Sequence, residues 1–148
     1  MKGLAAALTA TLAASVIVTV GAFRLDRAEG GQSGVLGPGP VDVVLDIDYT
    51  RFTPTRLRVR EGTQVRFVLR NHDPIRHELI IGPADVHSRH ANGTEAVHPP
   101  RPGEVTVEPN ATATTTYRFD DAGAVIFACH LPGHNEYGMN GVVEVLPV

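Results

Sequence analysis

Residues 41–70 read VDVVLDIDYTRFTPTRLRVREGTQVRFVLR. Val41, Val43, Leu45 and Ile47 alternate with Asp42, Val44, Asp46 and Asp48, and Leu57 and Val59 alternate with Arg56, Arg58 and Arg60. After Glu61-Gly62, Val65, Phe67 and Leu69 alternate with Arg66, Val68 and Arg70. Neighbouring side chains of a strand point to opposite faces, so a period of two marks strands with one dry and one wet face. Further strands are predicted at 77–81, 104–108, 112–119, 123–129 and 141–146. Short strands at this spacing, separated by turn residues, predict an all-β sandwich. Residues 83–103, PADVHSRHANGTEAVHPPRPG, interrupt the pattern as a long polar insertion with room for a short helix.

Arg56, Arg58, Arg60, Arg66 and Arg70 all fall on the outward parity of a hairpin predicted over 56–70. They make either a basic docking face for an acidic partner or membrane, or a solvated face. Asp42, Asp46 and Asp48 share the parity on a candidate neighbouring strand, and opposite charges pair across strands. That pairing explains the pattern by itself and is the reading adopted.

The chain of 148 residues has room for one ordinary domain. Its formal charge of -3 gives no reason to expect a nucleic-acid partner. At the start, residues 3–23 (GLAAALTATLAASVIVTVGAF) are uncharged and follow Lys2. Residues 1–23 are therefore expected to be a helical export signal, with small residues Val20-Gly21-Ala22 before a cleavage point, or a retained membrane anchor. A bilayer takes about 20 apolar residues, so both stay open. Residues 24–40, ending GGQSGVLGPGP, read as a flexible Gly/Pro-rich tether, and residues 41–148 as the folded domain.

The chemistry is concentrated in FACHLPGHNEYGMNG, residues 127–141. The chain has one cysteine and two methionines, one of them the initiator, and this stretch holds the cysteine and the other methionine. Cys129, His134 and Met139 stand at C-x4-H-x4-M, with Cys129 closing a strand and Pro132-Gly133 turning the chain. One loop at one end of the sandwich thus offers three ligands. A fourth is expected from a neighbouring strand, and His77 in NHDPIRHELII begins one. One thiolate, two imidazoles and one thioether make the donor set of a mononuclear blue-copper centre, two histidines and a cysteine with a weak axial methionine. Structural zinc sites use Cys and His in sets of four and seldom include Met.

The segments RFTPTRLRVREGTQVRF, NHDPIRHELII and GAVIFACHLPGHNEYGMNGVVEV resemble those of the cupredoxins, the small blue-copper electron carriers that include plastocyanin, azurin and rusticyanin. The resemblance covers residues 41–148. It implies a Greek-key sandwich with one copper near one end, held by His77, Cys129, His134 and Met139. In plastocyanin and azurin an Asn follows the first ligand histidine and ties the copper loops together, whereas here that residue is Glu78.

Two features stand outside that set. His130 follows the cysteine; such a histidine binds a second copper in multicopper enzymes, but further histidines from another domain are then needed, and a packed or hydrogen-bonded role is expected instead. His87, His90 and His98 in the insertion are a candidate accessory copper or zinc site, or simply the histidines of a polar loop. No phosphate loop, carboxylate pair or Ser/His/Asp arrangement is present. The expectation is an exported, extracytoplasmic one-electron carrier, with or without a membrane tether, that meets redox partner proteins transiently and is not itself an enzyme. Its rivals are a copper-delivery protein and a redox component of an oxidase or nitrite-reducing system.

Overall fold

The computed structural model describes residues 34–93 and 99–148. The expected leader at 1–23, the tether up to residue 33, and His98 lie outside the described residues. Among the described residues, nine strands and one helix follow in the order β1 (Val41–Asp48), β2 (Arg51–Thr53), β3 (Arg56–Arg60), β4 (Thr63–Asn71), β5 (His77–Gly82), α1 (Ala84–Asn92), β6 (Glu104–Val107), β7 (Thr112–Phe119), β8 (Gly123–Ala128) and β9 (Asn140–Leu146). A four-stranded sheet has the order β2-β1-β4-β7, and a five-stranded sheet the order β3-β9-β8-β5-β6. This is the expected all-β, cupredoxin-like sandwich.

The alternation works as the physics requires. Val43, Leu45, Ile47, Leu57, Val59, Val65, Phe67 and Leu69 are buried, while Arg56, Arg58, Arg60, Arg66 and Arg70 are exposed. Phe52 of β2 meets Phe127 of β8 edge-on at 5.6 Å between centroids and so links the two sheets, whereas Phe67 and Phe119 pack edge-on at 6.4 Å within the four-stranded sheet.

The predicted hairpin over 56–70 does not form. β3 pairs in parallel with β9, whereas β4 pairs in parallel with β1 and antiparallel with β7. Glu61-Gly62 carries the chain from one sheet to the other, with Gly62 at φ +78°. Each strand keeps its buried parity, because both apolar faces look into the same core from opposite sides. The charge pairing holds at Asp42 and Arg66, which lie opposite each other on β1 and β4 and form an ion pair, whereas Asp46 lies 3.2 Å from His72. Arg58 pairs with Glu144 of β9 at 3.0 Å.

The insertion carries α1, with Asp85 in its first turn and Arg89 and His90 in its last, signs that suit the helix dipole. The helix packs on β5, whose six residues His77–Gly82 are all buried. The outer face of that strand is thus dry, as the core-facing side is.

The first contact of the described chain falls inside the Gly/Pro-rich stretch. Leu36 bridges to Val59; its N–H donates to the Arg58 carbonyl at 2.9 Å, and its carbonyl accepts from Arg60 N–H at 2.9 Å. Two such bonds contribute on the order of 1–3 kcal/mol together. A chain starting at Val41 should therefore melt several degrees below one starting at Gly34, because about 1 kcal/mol shifts Tm by about 4–8 °C in a domain near 100 residues. Thermal unfolding of the two forms checks this; equal midpoints would show that Leu36 contributes nothing.

Candidate metal centre

β5 and β8 run antiparallel with Ile80 opposite Ala128. This register sets the start of β5 against the residues just beyond β8, and so His77 against the cysteine loop. Beyond Ala128 the chain leaves the sheet as a run of turns, 131–138, and returns as β9. The loop is closed at its base by its own backbone: Cys129 N–H donates to the Met139 carbonyl at 3.1 Å, and Met139 N–H to the His134 carbonyl at 2.9 Å. Gly133, at φ +82°, gives the turn a left-handed residue that costs a glycine nothing.

Three side chains converge there. His77 Nδ1 lies 3.2 Å from His134 Nδ1, and Cys129 Sγ lies 3.3 Å from the same nitrogen. Among the described residues these three form the one group of His, Cys, Asp and Glu donors whose ligand atoms all lie within 4.8 Å of one another. Metal bonds of about 2.0 Å to imidazole and 2.3 Å to thiolate bring donors to roughly 3–4 Å apart, so the spacing fits one ion. Met139 is fully buried in the core cluster at the loop's base. The residues predicted as ligands are thus a buried strand histidine, a buried cysteine, a half-buried loop histidine and a buried methionine. A thiolate with two imidazoles favours copper, which also stands above zinc in intrinsic affinity.

Two carboxylates that sequence reasoning assigned no role shape the site. Asp73 is buried, and its Oδ2 lies 2.9 Å from His77 Nε2. It also accepts the N–H groups of Tyr49 and Thr50, each at 2.8 Å. Burial pushes its carboxyl up, but those N–H bonds and His77 outweigh that and hold it below the usual carboxylate range. His77 therefore donates Nε2–H to Asp73, which leaves the Nδ1 lone pair facing the other donors. Burial lowers the His77 pKa, and Asp73 opposes that shift.

Glu78 is 2% exposed, and its Oε1 accepts His130 N–H at 2.8 Å. The tie that an asparagine makes in plastocyanin and azurin is here made by a carboxylate. A charged residue inside the apolar run HELII was the available signal; Asp73 offered none beyond standing four residues before His77.

His130 is hydrogen-bonded, as expected: its Nε2 lies 2.8 Å from His87 Nδ1, and His87 Nε2 lies 3.2 Å from the Ile126 carbonyl. Burial lowers the His130 pKa, helped by His87 and His90. His90 turns instead to Glu104, at 3.1 Å. Helix α1 thus brings two ligand atoms together at His87 and His130, against three at the site described above.

With this geometry in place, the chain can be assigned to the cupredoxin-like copper proteins: residues 46–148 match the family model described as multicopper oxidase. It is 39% identical over 101 residues to the copper-resistant cuproprotein CopI of Rubrivivax gelatinosus, a match covering 66% of this chain and 61% of that protein. The protein of the same name in Pseudomonas aeruginosa is 30% identical over 139 residues, covering 72% of this chain and 76% of its own. Among solved structures, auracyanin B superposes with a TM-score of 0.60 at 24% identity, over 80% of this chain and 97% of its own, a likeness of fold. Donor set and family agree on a protein that binds a single copper ion.

Burial pushes the Cys129 thiol up to about 12; the N–H groups of Glu78 and Leu131 pull it down, and the Glu78 charge pushes it further up. The copper-free fold therefore keeps the thiol proton across neutral pH, and the metal must displace it. Copper uptake near pH 7 should release about one proton per ion, and affinity should rise about tenfold per pH unit. Titration of the metal-free protein with a pH indicator measures this. Release of no proton would contradict thiolate ligation, and Cys129→Ser should abolish the release.

Proposed function

We propose that this protein is an exported, extracytoplasmic one-electron carrier that holds one copper through His77, Cys129, His134 and Met139 and is not itself an enzyme. The observation that carries the reading is the difference in burial between the two imidazoles: His77 is fully buried and bonded to Asp73, whereas His134 is half-buried on a turn of the ligand loop. Copper supplies the one-electron couple. The protein's part is to keep the donors in one place through both oxidation states and to offer one edge to a partner. Asp73 fixes His77 from behind, and the two backbone bonds at Cys129 and Met139 fix the loop. A site already closed around its donors needs little rearrangement when an electron arrives.

The exposed side of the loop is Leu131, Pro132 and Gly133, half-buried or exposed around His134. A small apolar contact of this kind suits a short-lived complex, because it sheds water at contact but buries too little area for a lasting one. The apolar leader at 1–23 supports export, with or without a retained tether.

The name shared by the two copper-resistant relatives favours a second reading, in which the chain captures or delivers copper outside the cytoplasm. The two part on what happens after reduction. A carrier keeps its copper through repeated redox cycles, whereas a delivery protein gives it up to a competing acceptor.

Leu131→Glu should slow electron transfer to the physiological partner at least about tenfold while leaving the visible spectrum unchanged, since charge at the contact acts on encounter. Stopped-flow mixing with partner in excess measures the rate. Unchanged kinetics would place the exit elsewhere, and copper lost at the first reduction would favour delivery over transfer.

A further inference from the structure

Helix α1 packs on β5 and leaves the outer face of β8 open, where Ile126 is 52% exposed. β8 and β9 run antiparallel with Ile126 opposite Val142, and β3 lies beside β9 with Arg56 opposite Val142. Residues directly opposite each other share a face of the sheet, so Arg56, Val142 and Ile126 form one row across three strands. The row starts at the edge strand β3 and runs inward. Beyond Ile126 it meets α1, where His87 Nε2 lies 3.2 Å from the Ile126 carbonyl. Ala124 and Ala128 flank Ile126 on the same face. Together these residues line a groove of about 760 Å³.

Two properties of the groove point to a ligand. Its floor is apolar on a face that the neighbouring arginines keep wet: Ile126 is exposed and Val142 only half-buried. The alanines on either side of Ile126 keep that floor flat. Its charge, in turn, has one sign. Arg56 is the only arginine or lysine among the lining residues, and none of them is an aspartate or glutamate. Arg58, Arg66 and Arg76 each pair with a carboxylate, whereas among the described residues none pairs with Arg56. Glu144, in the next row of the sheet, is taken by Arg58 at 3.0 Å. Neighbouring strands lie about 4.8 Å apart, so the row from Arg56 to Ile126 spans about 10 Å. Two fused aromatic rings and a carboxylate fill that length, and the volume falls within the roughly 300–1,000 Å³ of small-molecule sites.

We propose that this groove binds a small planar aromatic acid, with its rings on Ile126 and Val142 and its carboxylate on the guanidinium of Arg56. The flat floor suits a ring, and a guanidinium meets a carboxylate through two parallel N–H donors. None of the copper donors lines the groove, and the proposal does not depend on copper.

The probe is 2-naphthoate, added to the full chain with ascorbate to keep any bound copper reduced. The methyl NMR signals of Ile126 and Val142 should shift saturably, with half-saturation below about 1 mM. Arg56→Gln should weaken naphthoate binding at least about tenfold, as loss of a charged hydrogen bond does, and change that of uncharged 2-naphthamide less than about twofold. Ile126→Glu should abolish naphthoate binding and leave the visible copper spectrum unchanged. No saturable shift, equal binding of 2-naphthylmethylammonium, or unchanged affinity in Arg56→Gln overturns the proposal. Tighter binding of decanoate than of naphthoate overturns the assignment to a planar ring. Where a variant does not fold, the comparison of naphthoate with 2-naphthylmethylammonium and decanoate on the wild type decides.

Discussion

The copper end depends on one strand register, Ile80 of β5 opposite Ala128 of β8. It sets His77 and Glu78 against Cys129 and His130, residues about fifty positions apart in the chain. A slip of one residue would exchange the two faces of β5, turning the carboxylate of Glu78 towards the donors and the imidazole of His77 away. Leu79 and Ile81 oppose such a slip because both are buried in the shared core, and α1 covers the other face. Apolar packing along β5 therefore holds the donor geometry, and the hydrogen bonds of Asp73 and Glu78 refine it.

That division explains what could be read from the residues alone. Strand positions and buried parities follow from local alternation, and the strand at 112–119 is found where expected. The cysteine loop was legible because its three donors lie within eleven residues, and His77 because it opens a strand beside them. The partner of each strand was less accessible. Nothing in the alternation of 56–70 says that Glu61-Gly62 crosses between sheets instead of folding back, since both outcomes bury Leu57, Val59, Val65 and Phe67. The three-residue β2 is too short to show a period. The contacts of Asp73 with Tyr49 and Thr50, and of Glu78 with His130, join distant segments through single side chains, and no periodicity encodes such contacts.

The two carboxylates stand on opposite sides of the donor cluster and act differently. Asp73 holds an imidazole from behind and fixes its tautomer, a common arrangement for metal-bound histidine. Glu78 holds the backbone beside the sulfur. Neither needs to touch the ion. Both limit how far the donors can relax, which is what the proposed carrier role asks of a site that serves two oxidation states of copper with different preferred geometries. Kinship with copper-resistant cuproproteins is compatible with this design, because a site that retains copper tightly can serve electron transfer or copper handling.

The central claim is that one copper sits between a thiolate and two imidazoles. X-ray absorption at the copper edge of the loaded, oxidised protein tests it most directly, since it reads the donor atoms around the ion without reference to function. The account predicts one short copper–sulfur path and two imidazole nitrogens, with the sulfur path lost in Cys129→Ser. A shell of nitrogen and oxygen alone in the unaltered protein would contradict it.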